Sequence, residues 1–154
     1  MMYGIRGLWS VKHAGSCRRR VDVRNICIGG THMTLQELYQ IIEGDYDQAI
    51  RVLRMEKLVD KHIRKLTSNG VVEGLLAAEK TMDPTELFEK AHAVKGVCSN
   101  LGLTKLADAA SLIADEYRPG KARSMSDDEV KEKLRFIGEL YEKTVAGIQS
   151  YEGN

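Results

Sequence analysis

The sequence predicts an all-α protein, specifically an antiparallel four-helix bundle with a short extra helix at its N-terminal end. Three observations support this prediction. The chain of 154 residues contains only 2 prolines, and residues that favour helices dominate its second half. Apolar residues recur at spacings of three and four, the pattern of an amphipathic helix. Hydrophobic residues make up 43% of the chain, enough for the core of one ordinary domain.

The first elements are read from residues that cap helices. Thr34 can cap a short helix that Gly44 interrupts. Asp45 is a suitable N-cap for a second helix, which we expect to run to about Asn69, where an Asn-Gly pair stops it. A shorter helical segment is expected over residues 71–80.

The later elements begin with clearer signals. In residues 83–86, Asp-Pro-Thr-Glu combines an N-cap, a proline at N1 and the glutamate of a capping box. This helix is expected to end before Gly102, and the next to run from Thr104 to near residues 118–120. A second capping box at residues 126–129 opens the last helix. Its apolar stripe consists of Val130, Leu134, Ile137, Tyr141, Val145 and Ile148. Long helices with short connections and one apolar stripe each predict an antiparallel bundle.

Residues 1–32 differ from the rest of the chain. They show no sustained period of 2 or 3.6 residues, and they carry six basic residues against one acidic residue, Asp22. The basic residues are Arg6, Lys12, Arg18, Arg19, Arg20 and Arg24. We expect this stretch to be an extension outside the bundle domain, which comprises residues 33–154.

Three interpretations of this extension compete. A secretory signal would need an apolar segment after the first positive charge, and none follows. A transit peptide fits the arginine-rich composition, but scattered glycines disfavour the amphipathic helix that it needs. We prefer the hypothesis that translation begins at Met33, because residues 28–33 could be encoded with a purine-rich ribosome-binding sequence just before an ATG codon. The arginine triplet at residues 18–20 as a nucleic-acid arm is a weaker alternative.

Charge and hydropathy argue against several function classes. The whole chain has a net charge of +1, and the 17 basic and 21 acidic residues that remain after the extension give −4. This mildly acidic body argues against a nucleic-acid partner. No apolar stretch approaches the roughly 18 residues that a membrane span needs. The cysteines show no metal-ligand spacing, and Cys98 falls on an apolar helix face, where a reduced buried thiol is expected. We therefore expect a cytoplasmic protein without a metal or cofactor.

One histidine stands apart on the helix that begins after Asp83. At 100° per residue, one side of this helix is apolar and is the expected core face, formed by Leu87, Val94, Cys98 and Leu101. His92 points nearly opposite, on the same side as Phe88, Lys95, Gly96 and Ser99. We therefore expect His92 to face solvent, and core packing does not explain its presence.

The neighbours of His92 suit phosphoryl chemistry. Lys95, at i+3, places an ammonium group beside the imidazole, where it can balance a phosphoryl group. Gly96, at i+4, costs the helix about 1 kcal/mol relative to alanine. The absence of a side chain would leave the helix surface beside His92 bare, so that a partner can approach the imidazole closely. Neutral imidazole is a nucleophile near pH 7 and can carry a covalent intermediate.

The segment from residue 92 to residue 102 resembles the phosphoacceptor motif of histidine-containing phosphotransfer (HPt) domains, H-x-[LV]-K-G-x-x-x-x-[LI]-G. The matching residues are His92, Val94, Lys95, Gly96, Leu101 and Gly102. Val94 stands where leucine is commoner, a change without chemical consequence. The similarity extends in outline from about Met33 to the end of the chain, in the number and order of helices.

This resemblance implies a histidine phosphotransfer protein of a two-component phosphorelay. His92 would be the phosphoacceptor, Lys95 would stabilise the phosphoryl group, and Gly96 would leave room for the receiver. Phe88 and Ser99, on the same face, are expected to take part in close approach and docking. The implied partner is the receiver domain of a response regulator, a hybrid sensor histidine kinase, or both. The alternative is an HPt-like bundle that serves docking or dimerisation without phosphotransfer.

Other chemistry finds less support. His62 is interpreted as a packing residue at the edge of the core, and His13 and His32 lie in the extension. The sequence contains no glycine-rich phosphate loop and no kinase ATP-binding signature. We therefore expect a phosphocarrier, not an enzyme, which receives its phosphoryl group from a partner that supplies its own metal.

Overall fold

The computed structural model describes residues 32–152, which are helical with no strand. This confirms the predicted all-α fold. The helices are α1 (Leu35–Ile41), α2 (Tyr46–Leu53), α3 (Glu56–Lys65), α4 (Val71–Ala77, continued by a 3₁₀ turn Ala78–Lys80), α5 (Pro84–Asn100), α6 (Thr104–Glu116) and α7 (Asp127–Glu152).

Three long helices, α5, α6 and α7, form most of the bundle. Residues 101–103 join α5 to α6 so closely that the two helices pack against each other as an antiparallel pair. Residues 117–126 return the chain so that α7 packs on α6. The remaining side is built from shorter helices, because α2 packs on α5 while α4 packs on both α5 and α7. The short extra helix α1 packs on α7.

The core is continuous across these helices, and most of it is apolar. Its fully buried members include Leu38, Val59, Leu75, Leu87, Ile113, Leu134 and Ile148. The largest fully buried side chain is Tyr39, whose hydroxyl donates a hydrogen bond to the carbonyl oxygen of Leu101 at 2.7 Å. This bond satisfies a buried polar group and ties α1 to the C-terminal end of α5.

The long second helix predicted from Asp45 to about Asn69 is wrong in one respect, since it consists of two helices. Arg54 has a left-handed backbone with φ of 65° and ends α2, and α3 begins two residues later. On a continuous helix, Val59 would lie about 120° around from Leu53. Both residues pack against the core, Val59 fully buried and Leu53 partly buried, which one straight helix would not favour.

Three of the four predicted caps form as expected, including Asp45, whose side chain accepts from the amide of Gln48 at 2.8 Å at the start of α2. Ser126 and Glu129 bond reciprocally at the start of α7, as predicted for a capping box. Thr34 caps α1 and forms a full capping box with its own glutamate. Asp83 caps α5 by accepting from the amide of Glu86 at 2.8 Å, but the Glu86 carboxylate accepts a bond from Thr81 instead. The predicted box at residues 83–86 is therefore only half formed.

Candidate functional site

Helix α5 is held firmly at both ends, which fixes the positions of the residues between them. Pro84 occupies its first turn, where a missing amide costs nothing. At its C-terminal end, Gly102 adopts φ of 66°, and the amides of Gly102 and Leu103 donate to the carbonyls of Ser99 and Cys98. This is the Schellman arrangement, in which a glycine stops the helix and satisfies its last carbonyls.

One side of α5 faces the core as predicted. Its buried residues are Leu87, Ala91, Val94 and Cys98, followed by Leu101 at the C-cap. Burial raises the pKa of the Cys98 thiol to about 12, so this thiol stays protonated and unreactive at neutral pH. The buried side therefore serves packing, and chemistry is left to the opposite side.

His92 lies on the exposed side of α5, where the sequence predicted it. Its ring stacks on the ring of Phe88, with centroids 5.9 Å apart and planes inclined by 28°. Lys95, one turn further along, is half-buried. Within residues 32–152, neither the His92 side chain nor the Lys95 side chain forms a hydrogen bond or an ion pair. Both groups are therefore uncommitted in this structure.

Gly96 leaves open space beside His92. A Cβ atom built on Gly96 would meet no other heavy atom within 4 Å, so the residue is not required by packing inside the chain. Its φ is not in the left-handed region either. Neither packing nor backbone conformation explains a glycine at the middle of this helix, which is consistent with an external requirement.

Ser99 is half-buried, and its role in the fold is carried by its backbone. Its carbonyl oxygen accepts a hydrogen bond from Nε2 of Gln48 on α2 at 2.9 Å. A second bond joins the residue three positions before Gln48 to the residue three positions after Ser99. Here the amide of Asp45, the N-cap of α2, donates to the carbonyl of Gly102 at 2.7 Å. These two bonds set an antiparallel register between α2 and α5.

This register places an apolar side chain of α2 near the histidine. Continuing it by one turn places Val52 level with Lys95, and Met55 follows beyond the end of α2, after the break at Arg54. Val52 follows Gln48 at i+4 and so lies on the same side of α2. Val52 and Met55 are 46% and 56% exposed, respectively. Neither residue was predicted from the sequence, and the only local signal was the position of Val52 outside the core stripe of α2.

The other described histidines lie elsewhere. His62 is exposed on α3, so its interpretation as a packing residue was wrong, and His32 is exposed before α1. His13 lies outside the described residues. Over residues 32–152, no group of three His, Cys, Asp or Glu side chains is arranged to hold a metal ion. None of the helices in that range is long and apolar enough to cross a membrane.

An all-helical bundle that presents one uncommitted histidine on the exposed side of a central helix has the architecture of a histidine phosphocarrier. A family model, the Hpt domain, matches residues 33–142, and the chain therefore belongs to the Hpt domain family. Searches of curated proteins and of solved structures found no match. Hpt domains are phosphotransfer modules of two-component phosphorelays; they pass phosphoryl groups to receiver domains and lack kinase activity of their own.

Proposed function

We propose that this protein is a histidine phosphotransfer protein that shuttles a phosphoryl group between His92 and receiver-domain aspartates. The observation that carries the proposal is the open approach to an exposed, unbonded imidazole, with bare backbone at Gly96 one turn away. The partner would be a response-regulator receiver domain, a hybrid sensor histidine kinase, or both. The site of action would be the cytoplasm.

The transfer is a simple displacement. A ring nitrogen of neutral His92 uses its lone pair to form a P–N bond, while the P–O bond to the receiver aspartate breaks and its electrons leave on the carboxylate. The other ring nitrogen still carries its proton, which it can release to water. Lys95 would offset the negative charge of the phosphoryl oxygens as they pass. Reversal of the same step returns the group to a receiver.

Docking would use the apolar surface beside the histidine. Val52 and Met55 are exposed, and the Gln48 contact to α5 places Val52 level with Lys95. Exposed apolar side chains around a reactive group suit a transient protein contact, because they gain from removal of water without fixing charges. We therefore include both residues, with Phe88 and Gly96, in the proposed receiver-binding surface.

The test is transfer from a receiver domain charged with radioactive acetyl phosphate. The wild-type protein should acquire phosphate that is labile in acid and stable in base. His92→Gln should abolish labelling without changing the helical circular dichroism, whereas His62→Gln, at another exposed histidine, should label normally. Labelling of His92→Gln would overturn the assignment. A wild-type protein that binds the charged receiver without accepting phosphate would favour the docking-module alternative.

A further inference from the structure

We infer that Phe88 is a positioning residue, which holds the His92 imidazole in the orientation from which it accepts the phosphoryl group. This inference rests on the proposed function and goes beyond it, because the sequence assigned Phe88 only to the docking face. The observation that carries it is the stacked pair, with ring centroids 5.9 Å apart and planes inclined by 28°.

The two sides of His92 along the helix are unequal. Side chains on an α-helix lean toward its N-terminus, so the imidazole lies over the turn that contains Phe88, at i−4. On the other side, at i+4, Gly96 offers no side chain and no heavy atom within 4 Å of where a Cβ would stand. The imidazole therefore contacts an aromatic ring on its N-terminal side and faces open space on its C-terminal side.

Phe88 is itself held in place well enough to restrict the imidazole. It is half-buried and packs against the hydrophobic core, whereas His92 is exposed. A core-packed ring has few rotamers, and a flat face of similar width restricts the rotation of the ring that stacks on it. The phosphoryl group bonds to a ring nitrogen, whose lone pair lies in the plane of the imidazole. A ring stacked on one face therefore restricts the direction of that plane and leaves the edges of the imidazole free.

The consequence concerns rate more than affinity. Attack requires the reacting atoms to be about 3–3.5 Å apart and aligned, and small misplacements slow such reactions strongly. If Phe88 orients His92, a leucine at position 88 should keep the core contact but lose the planar ring that stacks on the imidazole. Transfer within the bound complex should then slow by about tenfold. The receiver concentration needed for half-saturation should change little, because leucine keeps an apolar side chain in the receiver-binding surface.

The first experiment measures single-turnover transfer from a phosphorylated receiver at saturating concentrations. Phe88→Leu should lower the rate at saturation, and Phe88→Tyr, which restores a flat ring, should recover most of it. Phe136→Leu is a matched control, because Phe136 is the other phenylalanine of the chain and is 51% exposed on α7. A Phe88→Leu protein with the wild-type rate at saturation overturns the inference. A defect confined to half-saturation does so too, since Phe88 would then act only as a docking contact and would not position His92.

The second experiment needs no phosphate and so separates this inference from the proposed function. With only 2 phenylalanines in the chain, nuclear Overhauser effects between a phenylalanine ring and the His92 ring can be assigned without ambiguity. Wild type should show them, and in Phe88→Leu the His92 ring protons should lose their ring-current shift and sample more rotamers. Absence of the contact in the wild type would refute the inference even if His92 proves to be the phosphoacceptor.

Discussion

Lys95 lies one helical turn from His92 and forms no ion pair within the described part of the chain, so its ammonium group is available to an incoming anion. Lys95→Ala should slow transfer from a receiver by about tenfold, the effect of about 1.4 kcal/mol on a barrier. Rapid-quench measurement of phosphohistidine formation checks this. Lys90→Ala is the control, because Lys90 is on the same helix but its side chain lies 3.6 Å from the position of a Cβ on Gly74 of α4. Equal rates for both variants would reduce Lys95 to a solvated charge.

Gly96 should show opposite effects on stability and on function. Because a Cβ there meets nothing, Gly96→Ala should raise the free energy of unfolding by up to about 1 kcal/mol. Gly96→Gln should also fold well, yet its longer side chain would stand in the approach path to His92. Urea denaturation and receiver transfer on the same samples test both effects. A Gly96→Gln protein that exchanges phosphate at the wild-type rate would contradict the proposed approach path.

The geometry around His92 was predictable because it is local. Residues at i±3 and i±4 on one helix are neighbours whatever the rest of the fold does, so helical spacing alone placed Phe88, Lys95 and Gly96 on the His92 side of α5. Val52 and Met55 were not predictable in the same way. The position of Val52 level with Lys95 depends on a contact between Gln48 and Ser99, 51 positions apart in the sequence.

The turn after α5 has two roles, because it ends one helix and packs closely against the start of another. Gly102 both ends α5 and accepts α2 so closely that a Cβ at this position would overlap the carbonyl oxygen of Asp45. Its φ of 66° adds backbone strain for any other residue. Gly102→Ala should therefore lower the free energy of unfolding by roughly 2–4 kcal/mol.

A matched glycine separates the two causes. Gly120, in the loop before α7, also has positive φ, at 83°, but a Cβ there would meet nothing within 4 Å. Gly120→Ala should cost only about 1 kcal/mol, the strain alone. Urea denaturation of both variants measures the difference. Equal losses would show that Asp45 yields easily and that the approach of α2 is not tight.

Most helices were predicted from the sequence, but the break at Arg54 and the contacts of the loop of residues 117–126 were not. Helix starts were recoverable because a cap is a local pattern, whereas the break at Arg54 follows from the direction of the core on either side of it. The loop of residues 117–126 contains another unpredicted feature. Glu116, only 1% exposed, accepts bonds from the Ser124 hydroxyl at 2.8 Å and the Met125 amide at 2.6 Å. The hydrogen-bond donors to this buried carboxylate lie eight and nine residues later in the sequence, within a loop. No short-range sequence pattern predicts such a contact.

Glu116 should make the stability of the bundle depend on acid. Hydrogen bonds from Met125 and Ser124, with Lys121 nearby, hold the pKa of this carboxyl below its ordinary value of 4.5. The unfolded chain therefore binds a proton at higher pH than the folded chain, and acid favours unfolding. The contribution of Glu116 is complete above pH 4.5 and is lost as the pH falls below it.

The measurement compares melting temperatures across pH. At pH 7, Glu116→Gln should melt several degrees below wild type, because the amide cannot accept all the loop bonds. This gap should narrow as the pH is lowered below about 4. Glu142→Gln, at an exposed position on α7, is the control and should follow wild type throughout. A gap that stays constant or widens in acid would show that the Glu116 charge does not stabilise the loop.

The core formed by the described residues bears on the start of the domain. The buried residues of the described range pack against one another from Leu35 to Ile148. The first helix is closed at its N-terminus by the Thr34 capping box, which uses no earlier residue. The family match begins at residue 33. Residues 1–31 lie outside the described residues, so the predicted boundary at Met33 stays a prediction.

Truncation tests this boundary directly. A protein that begins at Met33 should melt within about 2 °C of the full chain and accept phosphate at a rate within about twofold, because every core contact and cap described above remains. A protein that begins at Asp45 is the control for sensitivity. It loses α1 with the bond from Tyr39 to Leu101 and should melt far lower. If removal of residues 1–32 lowers the melting temperature as much as removal of α1, those residues stabilise the domain and the boundary is wrong.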